Sequence, residues 1–287
     1  MSKAIGLPGL LALALAAAVP AAAGAAAAKG PSTTVAPADD WKPPAKRVSP
    51  GEAYASQYAS TAPAPRTADG HPDLSGVWGN APSPAGAGEI RPGNNESDQA
   101  VLQRGAGWNK PLYKPEFWSK VRGLDFSKSD VDPVFSCNRA GVPRQNVPNK
   151  IVQTAKELIL WNGGVVRVVP IDGRARDPDD EDQAYDNGVP LGHWDGDTLV
   201  IESVGFNDVT WLQWQGYFHT DRMKVTERLW RKGDLLYYNF TVDDPAVLVQ
   251  PWTQDTLVRK LNPGLPRVNE PNRCEITPLE GDPYSRG

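Results

Sequence analysis

Histidine and cysteine are scarce in this chain, three and two among 287 residues. His71, His193 and His219 are too scattered to suggest a zinc site, and no HExxH helix appears, so no metal is expected. A Gly-rich phosphate loop and a GxSxG nucleophile elbow are also missing, which removes the motif-borne nucleotide and hydrolase chemistries. There is no excess of cations either. Thirty Lys and Arg stand against 34 Asp and Glu, a formal net charge of −4. That mild acidity, with its basic residues dispersed, argues against nucleic acid or an anionic membrane surface as partner. No cofactor is expected, and redox chemistry that depends on one is disfavoured. Beyond the first thirty residues no apolar run is long enough to span a bilayer.

Those first residues carry Lys3 followed by GLPGLLALALAAAVPAAAGAAAA. A charged start, an apolar stretch and a small-residue tail are the parts of a secretory signal peptide, read over 1–28, with a periplasmic or secreted destination. The rival is a retained membrane anchor, against which the internal prolines, the glycine and the alanine-rich end argue. Export makes the cysteines informative. Cys137 and Cys274 are expected to form one disulfide closing a long loop, which in the chain-entropy model contributes about 4–5 kcal/mol. The alternative is two unrelated buried thiols.

Residues 29–70 are rich in Pro, Ala, Ser and Thr without sustained periodicity and read as a disordered linker. Residues 71–287 read as a single β domain whose first part, 71–135, is an irregular arm. Within the arm KPEFWSKVRG (114–123) has Pro just inside its start and Gly at its end, which suits a short helix. After Cys137, segments such as NKIVQTA, ELILWN, GVVRVVPI, MKVTERLW and LLYYNFTV recur. Asp172-Gly173, Asp195-Gly196 and Gly233-Asp234 supply hairpin-type reversals. With about eight strands and no crossover helices, the pattern predicts an antiparallel barrel or sandwich closed on itself. The acidic run DPDDED (177–182) lacks the spacing and glycine of an EF-hand and reads as a solvated loop.

Strand parity singles out two charges. In MKVTERLW, Met223, Val225, Glu227 and Leu229 share a face, opposite Lys224, Thr226 and Arg228, so Glu227 is placed inward. In GVVRVVPI, Arg167 shares a face with Val165, Val169 and Ile171, although Val166 and Val168 leave the inner face open. A lone charge on an apolar wall must neutralise or find a partner. Arg167 and Glu227 are therefore expected to meet inside the barrel. The pair is either a structural lock on strand register or part of a cavity in which Glu227 transfers a proton and Arg167 grips a ligand's polar end.

The stretch GFNDVTWLQWQGYFHTDRMKVTERLWR (Gly205–Arg231) gathers six aromatic residues around His219. His219 and Asp221, just before the strand of Glu227, are candidate proton-transfer assistants at a cavity mouth. The other reading is a structurally bonded loop histidine. Trp211, Trp214, Tyr217 and Phe218 form either a stacking surface for an apolar or aromatic ligand or the plug of one barrel end. Arg174 joins the candidate ligand-binding residues.

Two resemblances go with these residues. Gly76-Val77-Trp78 resembles the G-x-W opening of lipocalins and related calycin barrels, whose Trp lies beneath an Arg from a late strand; Arg259 is the candidate here. More widely, PRTADGHPDLSGVW, CNRAGVPR, RVVPIDGR, LGHWDGDTLVIESVGFNDVTWL, FHTDRMKVTER, TVDDP and PW are similar to a large family of secreted bacterial proteins. They are common in soil bacteria and mostly of unassigned function. The similarity runs from about Arg66 to Glu275. It implies that Arg167, Asp172, Arg174, Trp194, Asp197, His219, Glu227, Asp244, Trp252 and both cysteines belong to the family pattern. Gln213 departs from it where an Asp is usual after Trp-Leu, and Ile276, following Cys274-Glu275, where an Asn is expected.

The sequence thus predicts an exported calycin-like barrel enclosing a small apolar or aromatic molecule. If it is an enzyme, it is a cofactor-independent lyase, isomerase, hydratase or cyclase working through a buried Glu227. A non-catalytic carrier and an envelope scaffold are the alternatives.

Overall fold

The computed structural model describes residues 62–80, 109–123, 132–162, 164–213 and 216–263. The chain divides into two compact units, Met1–Val35 and Ala36–Gly287, and every described residue belongs to the second. The segment read as a signal peptide therefore lies outside the described residues, as do Trp214 and Cys274.

Ten strands carry the fold: β1 (Gly76–Asn80), β2 (Lys150–Gln153), β3 (Glu157–Asn162), β4 (Val165–Pro170), β5 (Val189–Asp195), β6 (Thr198–Val204), β7 (Lys224–Lys232), β8 (Leu235–Asp243), β9 (Trp252–Thr253) and β10 (Leu257–Leu261). Their order is β4-β3-β2-β1-β10-β8-β7-β6-β5, with β9 paired to β8 off this path. Every pairing along the path is antiparallel. This is a mostly antiparallel, nearly closed nine-stranded barrel of calycin-like type.

Two reversals follow from local chemistry. Gly196 and Gly233, at φ of 57° and 56°, open the two-residue turns of the β5–β6 and β7–β8 hairpins. Glycine enters that left-handed region without a Cβ penalty, so a tight hairpin forms there. Asp172-Gly173 behaves differently. It belongs to the long connection from β4 to β5, which are not paired, so no hairpin forms there.

The odd strand count has a geometric consequence. Nine strands laid side by side, each opposed to the next, leave the first and ninth pointing the same way. β4 and β5 must therefore meet in parallel, and no ladder joins them. At one end of this seam they still pack closely. A Cβ built on Gly192 of β5 would lie 2.7 Å from Ile171 Cγ2, 3.2 Å from Val169 Cγ1 and 3.4 Å from the Pro170 carbonyl oxygen. Toward Val166 and Gly188 the seam opens.

A continuous core of Leu158, Leu160, Val169, Leu199, Ile201, Leu229, Tyr238, Phe240 and Trp252, among others, fills the inner face. Trp78 is buried near one end, its indole N–H donating to the Leu74 carbonyl at 3.0 Å. The guanidinium over its ring comes from Arg231 at the end of β7, 5.2 Å away, and not from Arg259. Parity explains the exchange. Arg231 continues the inward row of Val225, Glu227 and Leu229 and so arrives at the barrel end.

The arm packs against the core through Tyr113 and Val121. Its helix α1 (Trp118–Arg122) follows a 3₁₀ turn at Pro115–Phe117, inside the segment predicted for a short helix. Residues 62–70, read as linker, form a turn instead. Arg66 makes a bidentate pair with Asp197, and His71 stacks on Trp194 at 4.5 Å.

Candidate functional site

Arg167 on β4 and Glu227 on β7 meet across the barrel, as their parity requires. Both valines flanking Arg167 turn outward at 48% exposure each, while Arg167 is 7% and Glu227 1% exposed. The guanidinium donates from Nη1 to Oε1 at 3.1 Å and from Nη2 to Oε2 at 2.5 Å. Tyr238 of β8 donates its hydroxyl to Oε1 at 3.0 Å. Three donors thus hold one carboxylate in an apolar interior, an arrangement in which charge-assisted hydrogen bonds are at their strongest. Burial and the neighbouring carboxylate push the Tyr238 hydroxyl well above its ordinary pKa, which keeps it a proton donor. Burial works to lower the Arg167 pKa, but attraction to Glu227 outweighs it and leaves the value raised.

One nitrogen of the Arg167 guanidinium takes no part in this pair. The Nε–H is buried and has no hydrogen-bond partner. The same residue lines a cleft of about 340 Å³ at the open end of the β4–β5 seam, with Arg139, Val166, Val168, Tyr185 and Asp186 among its walls. Tyr185 is 55% exposed there, so three large apolar side chains, Val166, Val168 and Tyr185, stand uncovered around one opening. Arg139, Arg167, Asp186, Asn187 and Asn207 make the lining more polar than apolar, so polar groups as well as apolar surface would orient a small molecule there.

The other candidates lie elsewhere. His219 is buried at 3% exposure instead of standing open at a mouth. Its Nε2 lies 2.9 Å from the Thr210 hydroxyl and its Nδ1 3.1 Å from the Thr220 carbonyl oxygen. Burial lowers its pKa, so the neutral imidazole of a structural hydrogen-bonding histidine fits this setting. Asp221 is exposed. Neither hydrogen-bonds to Glu227, whose side-chain partners are Arg167 and Tyr238. Arg174 pairs with Asp172 in the loop after β4, where hydrogen bonds from Arg174 hold the Asp172 carboxyl at about 2.

Tyr217 and Phe218 are buried against the arm. Tyr113 stacks on Phe218 at 4.5 Å and donates its hydroxyl to the Phe218 carbonyl at 2.6 Å, while Lys120 sits over the Phe218 ring. Trp211 is half-buried with Arg144 over its ring. Cys137 is disulfide-bonded, and among the described residues no cysteine is free. Cys274 lies outside the described residues. Among the described residues no three His, Cys, Asp or Glu side chains gather as a metal-ligand set.

Two parts of the site are not singled out by the sequence reading. Tyr238 was reachable, because alternation places it inward with Leu236, Phe240 and Val242. Its neighbours Leu235 and Tyr237 are apolar too and bury on the opposite face, which blurs the pattern. The cleft loop at 184–188 shows no periodicity that would mark it. Asp244, which the family resemblance names, is fully buried and accepts from the Thr220 backbone N–H at 2.7 Å and from its hydroxyl. It ties the His219 loop to the turn after β8.

Compared with models of known protein families, with curated proteins and with solved structures, the chain matches none.

Proposed function

We infer that this protein is an exported binding barrel which holds a small molecule with an apolar or aromatic body at the β4–β5 seam, anchored by Arg167. One observation carries this reading: Arg167 belongs both to the buried ion pair and to the wall of the cleft. Glu227 fixes the guanidinium, and Val166, Val168 and Tyr185 offer apolar surface beside it. The carrier reading is favoured over proton transfer. Both oxygens of Glu227 are occupied, and the two groups named as its assistants, His219 and Asp221, form no hydrogen bond with it. A Glu227-dependent lyase or isomerase would first have to release one of those donors.

Export through a signal peptide over 1–28, a Cys137–Cys274 disulfide and membership of the secreted bacterial family belong to the same proposal. The apolar leader, the bonded state of Cys137 and the motif series from Arg66 to Glu275 support them. The intact mass of the exported protein, with and without reductant, tests both the cleavage and the bridge.

The binding claim is tested by titrating an environment-sensitive naphthalene fluorophore into the full chain and into Val168→Asp. Val168 is half exposed, so the substitution puts a charge on the cleft wall without touching the core. Binding is expected to weaken by about tenfold or more, as when a buried apolar contact is replaced by a desolvated charge. Equal binding by both proteins would move the ligand site away from the seam.

A further inference from the structure

The charges of the cleft specify more than an apolar body. Three ionisable side chains bear on the point, namely Arg139, Arg167 and Asp186. The Arg167 charge is cancelled by Glu227. The other two are not cancelled locally. Among the described residues neither Arg139 nor Asp186 has an ion-pair partner. Asp186 Oδ1 accepts from the neutral amide of Asn207 at 2.7 Å, which orients the carboxylate without neutralising it. The cleft thus presents one cation and one anion without ion-pair partners, beside the exposed side chains of Val166, Val168 and Tyr185.

Resting on the binding role inferred above, we propose that the cleft takes a zwitterion with an apolar side chain, an α-amino acid or a compound of that charge pattern. Its carboxylate faces Arg139, its ammonium faces Asp186, and its apolar body lies on Val166, Val168 and Tyr185. Complementary charges across a recognition surface act mainly by rejecting the wrong partner. A ligand of a single charge leaves either Arg139 or Asp186 unanswered. A ligand with both answers each of them.

Three probes with one common body separate the possibilities: L-phenylalanine, 3-phenylpropanoate and 2-phenylethylamine. Each is titrated calorimetrically into the full chain. L-Phenylalanine is expected to bind about tenfold or more tighter than either singly charged probe, the scale of one charge-assisted hydrogen bond. Arg139→Gln is expected to abolish the advantage over the amine, and Asp186→Asn the advantage over the acid. Arg139→Lys, which keeps the charge, should restore discrimination, and thermal melts confirm that each variant folds. If either singly charged probe matches L-phenylalanine, the zwitterion assignment falls. If none of the three binds while the naphthalene fluorophore still does, it falls alone and the binding role stands. If nothing binds, both fall.

Discussion

Removing either member of the Arg167–Glu227 pair leaves the other charge in an interior that cannot solvate it. Glu227→Gln retains an acceptor for the Tyr238 hydroxyl but strands the guanidinium, and Arg167→Met strands the carboxylate. Each substitution alone is expected to cost about 3–5 kcal/mol of folding stability, the usual scale for breaking a buried pair. The combined variant should cost clearly less than the sum, since it leaves no unpaired charge. Urea unfolding of the four proteins measures this, and additivity within about 0.5 kcal/mol would show that the two groups are not coupled. Parity alone places these two side chains indoors, because a β-strand gives each residue only two directions to point. No comparable constraint acts on His219 and Asp221. They precede a strand instead of lying in one, and their burial is decided by how the loop packs.

At the level of elements, the seam is held by what Gly192 lacks. Any side chain on it enters space already taken by Val169 and Ile171. Gly192→Val is therefore expected to push β5 from β4 and lower stability by about 1–3 kcal/mol, the usual cost of overpacking. Gly196→Ala is the control, because nothing lies within 4 Å of its Cβ position and only its positive φ matters. The variant's urea midpoint is the readout, and a value unchanged from the parent would mean that the closed end of the seam is not a packed contact. The strands themselves were legible from alternating apolar residues and turn dipeptides, and the short helix from its Pro and Gly. The Asp172-Gly173 reversal was not. A dipeptide reports that the chain can turn sharply, and whether the flanking strands pair depends on their place in the barrel. The arm was also opaque, for it is fixed by single long-range contacts such as Tyr113 to Phe218 and Trp252 to Asn109.

For the molecule as a whole, the cleft is a product of strand count. An even number of antiparallel strands can close with a complete ladder, whereas nine leave a parallel pair that here stays unzipped. The site then lies where two edges fail to join, and Arg167 is the core residue that reaches it. The sequence pattern predicts about eight strands, an even number that closes fully, so the seam is not legible from the pattern alone. The most direct test is the nuclear magnetic resonance signal of the Arg167 Nε–H, assigned by its loss in Arg167→Met. It should be protected from solvent exchange, as burial demands, and should shift on saturation with a cleft ligand while the Trp78 indole N–H stays fixed. A ligand that saturates the protein and leaves the Arg167 signal unmoved would contradict the account.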